Sequence, residues 1–351
     1  MARQEAGKKP SRGHPYPLRE IARQAGVSEA TVDRVLNGRG GVRASTAQTV
    51  RHAIEDLDRQ RTQLRLTGRS FLVDVVMQAP ARFTTTVRKA LEAELPTLRP
   101  AVIRARFHLR ETAPVAEIVA LLDAVRRRGS HGVLLKGPDV PEVAEAAQRL
   151  AAAGIPVVTF VTDVPASGRL AYVGIDNRAA GATAAYLVGQ WLGDAPGDVL
   201  VTLSRSAFRG EEERETGFRA TLRDRALVVV PDTEGLDATL RERVGAALHA
   251  HPGVRAVYSI GGGNRAVLDA FGGRECRVFV AHDLDADNVD LLRAGRISAV
   301  LHHDLGQDMR RACHVVMQAH RALPGGIFSW PSSIQVVTPF NAPQPPPPEH
   351  R

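Results

Sequence analysis

A chain of 351 residues, 44% of them hydrophobic, has room for two or three packed domains, and no run of about 18 apolar residues offers a membrane span. Two cysteines, Cys276 and Cys313, have neither metal-type spacing nor a disulfide framework, and the basic start MARQEAGKKPSRGHPYP lacks the apolar stretch of a secretory signal, so a reducing cytoplasm is expected. The net charge of +8 is concentrated at one end: residues 1–69 hold 14 Lys and Arg against 7 Asp and Glu, the remaining 282 hold 32 against 31. That asymmetry suits a small module that meets a polyanion. A solvated basic tail would also carry charge, but half of these arginines lie inside patterned helices.

In chain order, residues 1–15 read as a disordered basic tail. Three helices follow over 16–58. In the first, Leu18, Ile21, Ala22 and Ala25 share one face at three- and four-residue spacing. Gly26 follows, where a turn with positive φ costs glycine little. Ser28 is placed to cap the second helix, which turns Val32, Val35 and Leu36 inward and leaves Glu29, Ala30, Asp33 and Arg34 outward. Ser45 with Gln48 has the spacing of a capping box opening a third helix, whose inner face is Val50, Ala53, Ile54 and Leu57. Two short helices joined by a tight turn form the unit that delivers a second helix into the DNA major groove. A three-helix bundle used for protein contact is the bland alternative.

From Phe71 the texture changes. Apolar runs (FLVDVVM, AVIRARF, GVLLKG, IPVVTFV, DVLVTL, ALVVV, VRAVYSI, RVFVAHD) alternate with amphipathic stretches such as TTTVRKALEAEL, PEVAEAAQRLAAAG and DATLRERVGAALHAH. This alternation predicts parallel sheets flanked by helices, and about 270 residues suit two α/β lobes better than one sheet. The expected architecture is an all-α helix-turn-helix domain at 16–58, a hinge or linker at 59–70, a two-lobed α/β core at 71–342, and a disordered proline-rich tail at 343–351.

The stretch LREIARQAGVSEATVDRVLNGRGGVRASTAQTVRHAIEDL resembles the DNA-binding domain of the lac repressor (LacI/GalR) family. The α/β region behind it is similar to that family's core, which is like a type I periplasmic sugar-binding protein. The resemblance covers about residues 16–342 and is tightest at its start. It implies that Glu29, Ala30 and Arg34 read bases, with Ser28, Thr31 and Asn37 in the DNA-binding set and the last two touching phosphates. The chemistry agrees, because an arginine forks onto guanine and an alanine lies against a thymine methyl. Asp33 stands where the family usually has serine, and an acid there repels phosphate unless it is paired. The family's proline-started hinge helix is replaced by RTQLRLTGR, with Arg61 at the proline position and Gly68 at the intercalating leucine. Either Leu64 or Leu66 substitutes as the apolar wedge, or 59–70 is a basic linker that tracks the backbone. Glycine and the missing proline favour a stretch largely unstructured off DNA.

In the core, the resemblance implies a lobe-to-lobe crossover at LAYVGIDNRAAGATAAYLVGQWL, with Asp176 capping the helix. ERETGF looks like the family's R-x-x-G-F signature, so that Arg214 faces the cleft and forks onto ligand oxygens; a surface arginine paired with Glu211–Glu213 is the alternative. Asp283, at the end of a strand, matches a ligand-contacting acid, and open α/β sheets bind ligands there. Phe83 matches a ring-stacking aromatic or is a core phenylalanine. Asn264 in SIGGGNRAV is read as a ligand hydrogen-bonder, because the stretch lacks the spacing of a phosphate loop. His303 (or His302) matches a polar contact that is often glutamine in relatives. Asp163 is the acid nearest the family's acidic contact after the fourth strand. HHD at 302–304 has no third metal ligand at useful spacing, and no cofactor is expected.

These readings imply a ligand-responsive transcriptional regulator (a repressor by resemblance) that binds double-stranded operator DNA as a homodimer or tetramer. The effector class is a sugar or polyol, and no membrane partner is expected. A soluble carbohydrate-binding protein is the runner-up. An enzyme is disfavoured, since no nucleophile elbow, metal triad or dinucleotide fingerprint occurs.

Overall fold

The computed structural model describes residues 16–67, 69–204, 207–231 and 237–343. The N-terminal module is three helices, α1 (Leu18–Ala25), α2 (Glu29–Leu36) and α3 (Ala44–Thr67). Their inward faces are those expected from spacing: Ile21, Ala22, Val32, Val50 and Leu57 form a small core closed by Tyr16, with Leu18, Ala25, Val35, Leu36 and Ile54 at its margin. Gly26 ends α1 at φ 69° and returns its N–H to the Ala22 carbonyl, the left-handed cap that only glycine adopts cheaply. The Ser28 hydroxyl accepts from Thr31 N at 3.2 Å and so caps α2.

Two expectations are corrected. The third helix opens at Ala44, not at a Ser45 cap; Ser45 already lies in the first turn, where its carbonyl accepts from Thr49 Oγ1. The helix also does not stop near residue 58. Its backbone continues to Thr67, so most of 59–70 is helical rather than unstructured. The run from Arg59 to Thr67 has neither glycine nor proline, and leucine, arginine and glutamine are good helix formers that extend a helix already nucleated. The side chains of Leu64 and Leu66, and all of Gly68, lie outside the described residues.

The core begins with β1 (Ser70–Gln78), α4 (Ala81–Glu94), β2 (Val102–Arg110), α5 (Val115–Arg128), β3 (Gly132–Lys136), α6 (Pro141–Ala152), β4 (Val157–Phe160) and β5 (Ala171–Ile175). The second lobe is α7 (Asn177–Leu192), β6 (Asp198–Leu203), α8 (Arg209–Thr221), β7 (Leu227–Pro231), α9 (Asp237–Ala250), β8 (Val254–Ser259), α10 (Asn264–Phe271), β9 (Val278–His282), α11 (Ala286–Arg293) and β10 (Ala299–His302). The chain returns through α12 (Leu305–Ala319) and closes with β11 (Trp330–Ser332) and β12 (Gln335–Val337). The first sheet runs β2-β1-β3-β4-β5-β11 and the second β7-β6-β8-β9-β10-β12, with every pairing parallel except β10 with β12. The chain thus crosses between lobes three times, after Ile175, after His302 and between Ser332 and Gln335. Parallel strands buried on both faces explain the unbroken apolar runs; β1 is buried from Phe71 to Gln78.

The helical module rests on edge strand β2, where Glu20 pairs with Arg104 at 3.0 Å and Gln24 Nε2 donates to the Ala105 carbonyl at 3.4 Å. Beneath this contact Asp74 is wholly buried and holds Arg106 (2.7 Å), His108 (2.7 Å) and Arg128 (2.8 Å). Burial opposes ionisation of Asp74, but hydrogen bonds from His108 and Arg106 and the charge of Arg106 outweigh it and hold its carboxyl at about 2.

Candidate functional site

On the helical module, the residues expected to meet DNA lie on one open face. Ser28, Glu29, Ala30, Arg34 and Asn37 are exposed, and Thr31 is half-buried beside Ser28. Spacing puts Ala30 and Arg34 one turn apart. Asp33 is not left to repel phosphate: Arg39 pairs with one carboxylate oxygen at 2.8 Å and Asn37 Nδ2 donates to the other at 2.7 Å. The acid that departs from the family pattern therefore orders the end of α2.

In the core, the carboxyl ends of both sheets face a cleft between the lobes. Its walls hold Phe83, Arg82, Lys136, Thr162, Phe208, Glu211, Arg214, His282, Asp283 and Asp285. The lobes meet across it, through Asp139 N to the Ala207 carbonyl (2.8 Å), Gly210 N to Thr162 Oγ1 (2.9 Å) and the Arg82–Asp285 pair (3.3 Å).

Arg214 is held there by a local pattern. Arg214, Gly217 and Phe218 share one face of α8, at i, i+3 and i+4. Phe218 is buried and stacks on Tyr258 with centroids 4.4 Å apart. α7 and α8 approach so closely that a Cβ on Gly217 would stand 2.0 Å from the Arg178 carbonyl oxygen, and one on Gly181 1.9 Å from that of Arg214. Arg214 is 4% exposed, and its Nε donates to Asn177 Oδ1 at 2.8 Å. Asn177 in turn donates to the Tyr172 hydroxyl and the Val161 carbonyl. Arg214 is thus a buried cleft residue, not a surface arginine paired with its helix neighbours. Asp176 caps α7 through Ala179 N at 2.9 Å, as expected.

Asp283 follows β9 at φ 65°, and Val161 follows β4 at φ 64°. Positive φ on a β-branched valine costs on the order of 1–3 kcal/mol, and such strain collects at ligand sites. Asp283 Oδ1 and His282 Nδ1 are buried with no hydrogen-bond partner among the described residues. The Tyr258 hydroxyl and His282 Nε2 are 2.8 Å apart. Burial, with Arg214 and His303 nearby, pushes His282 well below the usual histidine range, so its ring is neutral.

The remaining sequence candidates separate. Phe83 both lines the cleft and packs in the first lobe's core. Asn264 is buried behind the wall. Its amide donates to Asn288 Oδ1 at 2.6 Å, and Asn288 holds the carbonyls of His282 and Asp283, so Asn264 positions the loop. His303 stands behind Asp283, with Nε2 4.0 Å from Asp283 Oδ1. His302 instead accepts from Leu284 N at 3.4 Å. Asp163 is a correction: it does not line the cleft, because Arg169 grips both its oxygens at 2.5 Å and Thr159 and Val164 N use the rest.

Sequence reasoning missed Arg82, Lys136, Glu211, His282 and Asp285. Lys136 is 7% exposed, donates to the Gln78 carbonyl at 2.9 Å and sits 4.0 Å over the Phe208 ring. Burial pushes its ammonium down to about 8. A lysine closing the run GVLLK and a histidine closing VFVAH were the available signals, since both stand at carboxyl ends of parallel strands. Among the described residues no group of three His, Cys, Asp or Glu could hold a metal, and no helix is long and apolar enough to cross a membrane.

Comparison with known proteins bears on both parts. Residues 17–60 match the bacterial regulatory proteins of the lacI family, and residues 75–322 match the periplasmic binding protein domain. The HTH-type transcriptional regulator reg1 of Streptomyces lividans is 28% identical over 311 residues, 85% of this chain and 79% of that one. The HTH-type transcriptional regulator MalR of Streptomyces coelicolor is 57% identical over 53 residues, 15% of each chain. The fold is similar to that of GanP, a glucose-galactose binding protein from Geobacillus stearothermophilus. The TM-score is 0.69 at 19% identity, covering 79% of this chain and 100% of that one.

Proposed function

We propose, for a chain that belongs to the lacI family of bacterial regulatory proteins with a periplasmic-binding-protein core, that a sugar or polyol in the cleft sets its affinity for operator DNA. It is a ligand-responsive, DNA-binding transcriptional regulator; the effector class and the residues below are the proposal. The observation that carries it is the pair of buried, unpartnered polar atoms on His282 and Asp283, in a chain that also presents an exposed, capped α2.

A buried polar atom without a partner costs about 1–3 kcal/mol, which a ligand group at that position recovers. The cleft offers donors at Lys136 and Arg214 and acceptors at Asp283 and Glu211, and Phe83 and Phe208 supply apolar area. An uncharged ring bearing several hydroxyls uses all of these, because each hydroxyl donates once and accepts from neighbours. The groups bind and orient; the chain is proposed to turn nothing over.

On the DNA side, Arg34 is proposed to fork onto a guanine and Ala30 to contact a thymine methyl, beside Glu29. Ser28, Thr31 and Asn37 lie over phosphates. A homodimer would place two copies of α2 about one DNA turn apart. Effector that favours closed lobes would shift the spacing of the two modules through the three crossovers. Residues 16–58 are proposed as the reading domain and 59–70 as the lever joining it to the core, in the cytoplasm.

Thermal-shift measurements with D-glucose, D-galactose, other aldoses and acyclic polyols test the effector class. At least one should raise Tm in wild type and not in Arg214→Ala or Asp283→Ala. A panel in which no member raises Tm would refute the sugar reading.

A further inference from the structure

We infer that Asp308, which lies outside the cleft, is a positioning residue that dictates which hydrogens of the effector the cleft accepts. The inference rests on the cleft being the sugar or polyol site. His303 leaves the end of β10 and is 1% exposed; its Nδ1 is 2.5 Å from Asp308 Oδ2. The other carboxylate oxygen of Asp308 is held by the Ser332 hydroxyl, and Ser332 Oγ is 3.2 Å from Arg311 Nη1.

The directions of these hydrogen bonds follow from what each group has to give. A guanidinium only donates, so Ser332 accepts from Arg311 and turns its own hydrogen to Asp308. A carboxylate only accepts, so His303 carries a proton on Nδ1, which in the neutral ring leaves Nε2 bare. Nε2 is buried without a partner and lies 4.0 Å from Asp283 Oδ1, also buried without one. Two acceptors therefore face each other with no hydrogen between them. Adjacent hydroxyls on a polyol ring satisfy both, one hydrogen to each acceptor, whereas a carbonyl or carboxylate at that end adds a third acceptor. The effector class narrows to a molecule that presents a vicinal diol to this wall. Ser332 belongs to β11, at the third crossover, and His303 to the second, so the lock is anchored where the lobes are joined.

Asp308→Asn tests the lock in the full-length protein. Ser332 keeps the amide oxygen, the amide nitrogen turns to His303 Nδ1, and the ring proton moves to Nε2, with shape retained. Nitrogen-15 spectra of the His303 ring should show Nδ1 protonated in wild type and Nε2 protonated in the variant. Affinity for the aldose that binds wild type, with D-glucose and D-galactose as first probes, should fall about ten- to hundredfold in the variant. His303→Gln offers an amide oxygen as acceptor whatever stands at 308. It should itself lose part of the wild-type affinity, but adding Asp308→Asn to it should cost little more.

If Asp308→Asn fails to fold, the wild-type spectrum still decides: Nδ1 must be protonated, and the Nε2 resonance must shift when the sugar is added. The inference is overturned by a doubly protonated ring, by an Nε2 resonance that sugar leaves unmoved, or by a flipped tautomer with unchanged affinity. An equal loss on adding Asp308→Asn to His303→Gln overturns it too, because Asp308 then acts only through the fold. If no sugar or polyol binds wild type, the reading of the cleft fails and this inference with it. The ring spectrum reports the lock without any ligand and so keeps the two failures apart.

Discussion

The recognition helix and the cleft are built on opposite plans. Every residue that α2 and its two caps offer to DNA lies within the stretch from Ser28 to Asn37, is exposed or half-buried, and is ordered by its own neighbours, Ser28 at one end and the Asp33–Arg39 pair at the other. The cleft draws its polar groups from α4, β3, α8 and the segments that follow β4 and β9. Lys136, Arg214 and His282 are buried and Asp283 and Glu211 half-buried, and several are held by a partner from another element, as Asn177 holds Arg214. The difference teaches where function and stability separate. A change on α2 should alter DNA reading at little cost to the fold, whereas a change in the core alters both, because the groups that await ligand are embedded in the hydrogen-bonding of the lobes.

The largest test lies in the core but away from the cleft. Asp74→Ala leaves the buried Arg106 without its carboxylate and releases the more exposed Arg128, and should cost roughly 3–5 kcal/mol of stability by urea denaturation. Acid titration should agree in sign. The Asp74 carboxyl is held at about 2 against 3.8 for the free group, so its contribution is full above pH 3.8 and is lost as pH falls towards 2. A loss no larger than that of an ordinary surface variant would erase the contrast between the two regions.

Next is Arg214→Ala, which should weaken sugar binding by roughly 2–4 kcal/mol in calorimetry and leave operator affinity without sugar little changed. Arg34→Ala is the mirror case. It should cost about 1–3 kcal/mol at the cognate operator and relax preference at one base pair, with no change in Tm. A large fall in Tm from Arg34→Ala would show that α2 is not the independent surface described above.

That contrast also governs what the sequence makes legible. The module core was readable because Ile21, Ala22, Val32 and Val50 are set by helical spacing within a few dozen residues. The long apolar strands were readable for the same reason. Strands β5, β10, β11 and β12 were not marked as strands, since runs of three to five residues such as AYVGI and AVLH lack length to separate them from loops. In the cleft, Arg214, Asp283 and Phe83 were placed by resemblance and position. Asp163 failed because matching along the chain is blind to Arg169, six residues on, which takes its carboxylate. Lys136 was passed over because a lone lysine after an apolar run has no local signature, and its meaning depends on Phe208 arriving from the other lobe. The break expected near residue 58 failed because composition weighed Gly68 and the absent proline above the unbroken run of helix formers before them.

The smallest expected effect concerns Lys136. An ammonium at about 8 gives up one of its three hydrogens as pH rises through that value, so sugar affinity should be full below it and decline a few-fold above it. Lys136→Met should flatten the profile at the lower level. A profile of unchanged slope in that variant would place the titrating group elsewhere.

The linkage of cleft to α2 is tested most directly by operator affinity with and without sugar. Fluorescence anisotropy on an operator selected from random duplexes, with the full-length protein, should show at least a fivefold change in Kd when the sugar that raises Tm is saturating, as coupling of about 1 kcal/mol or more requires. Arg214→Ala should abolish that change while binding the operator itself as tightly as wild type does. A sugar that saturates the cleft and leaves operator affinity unmoved would contradict the link between the two regions.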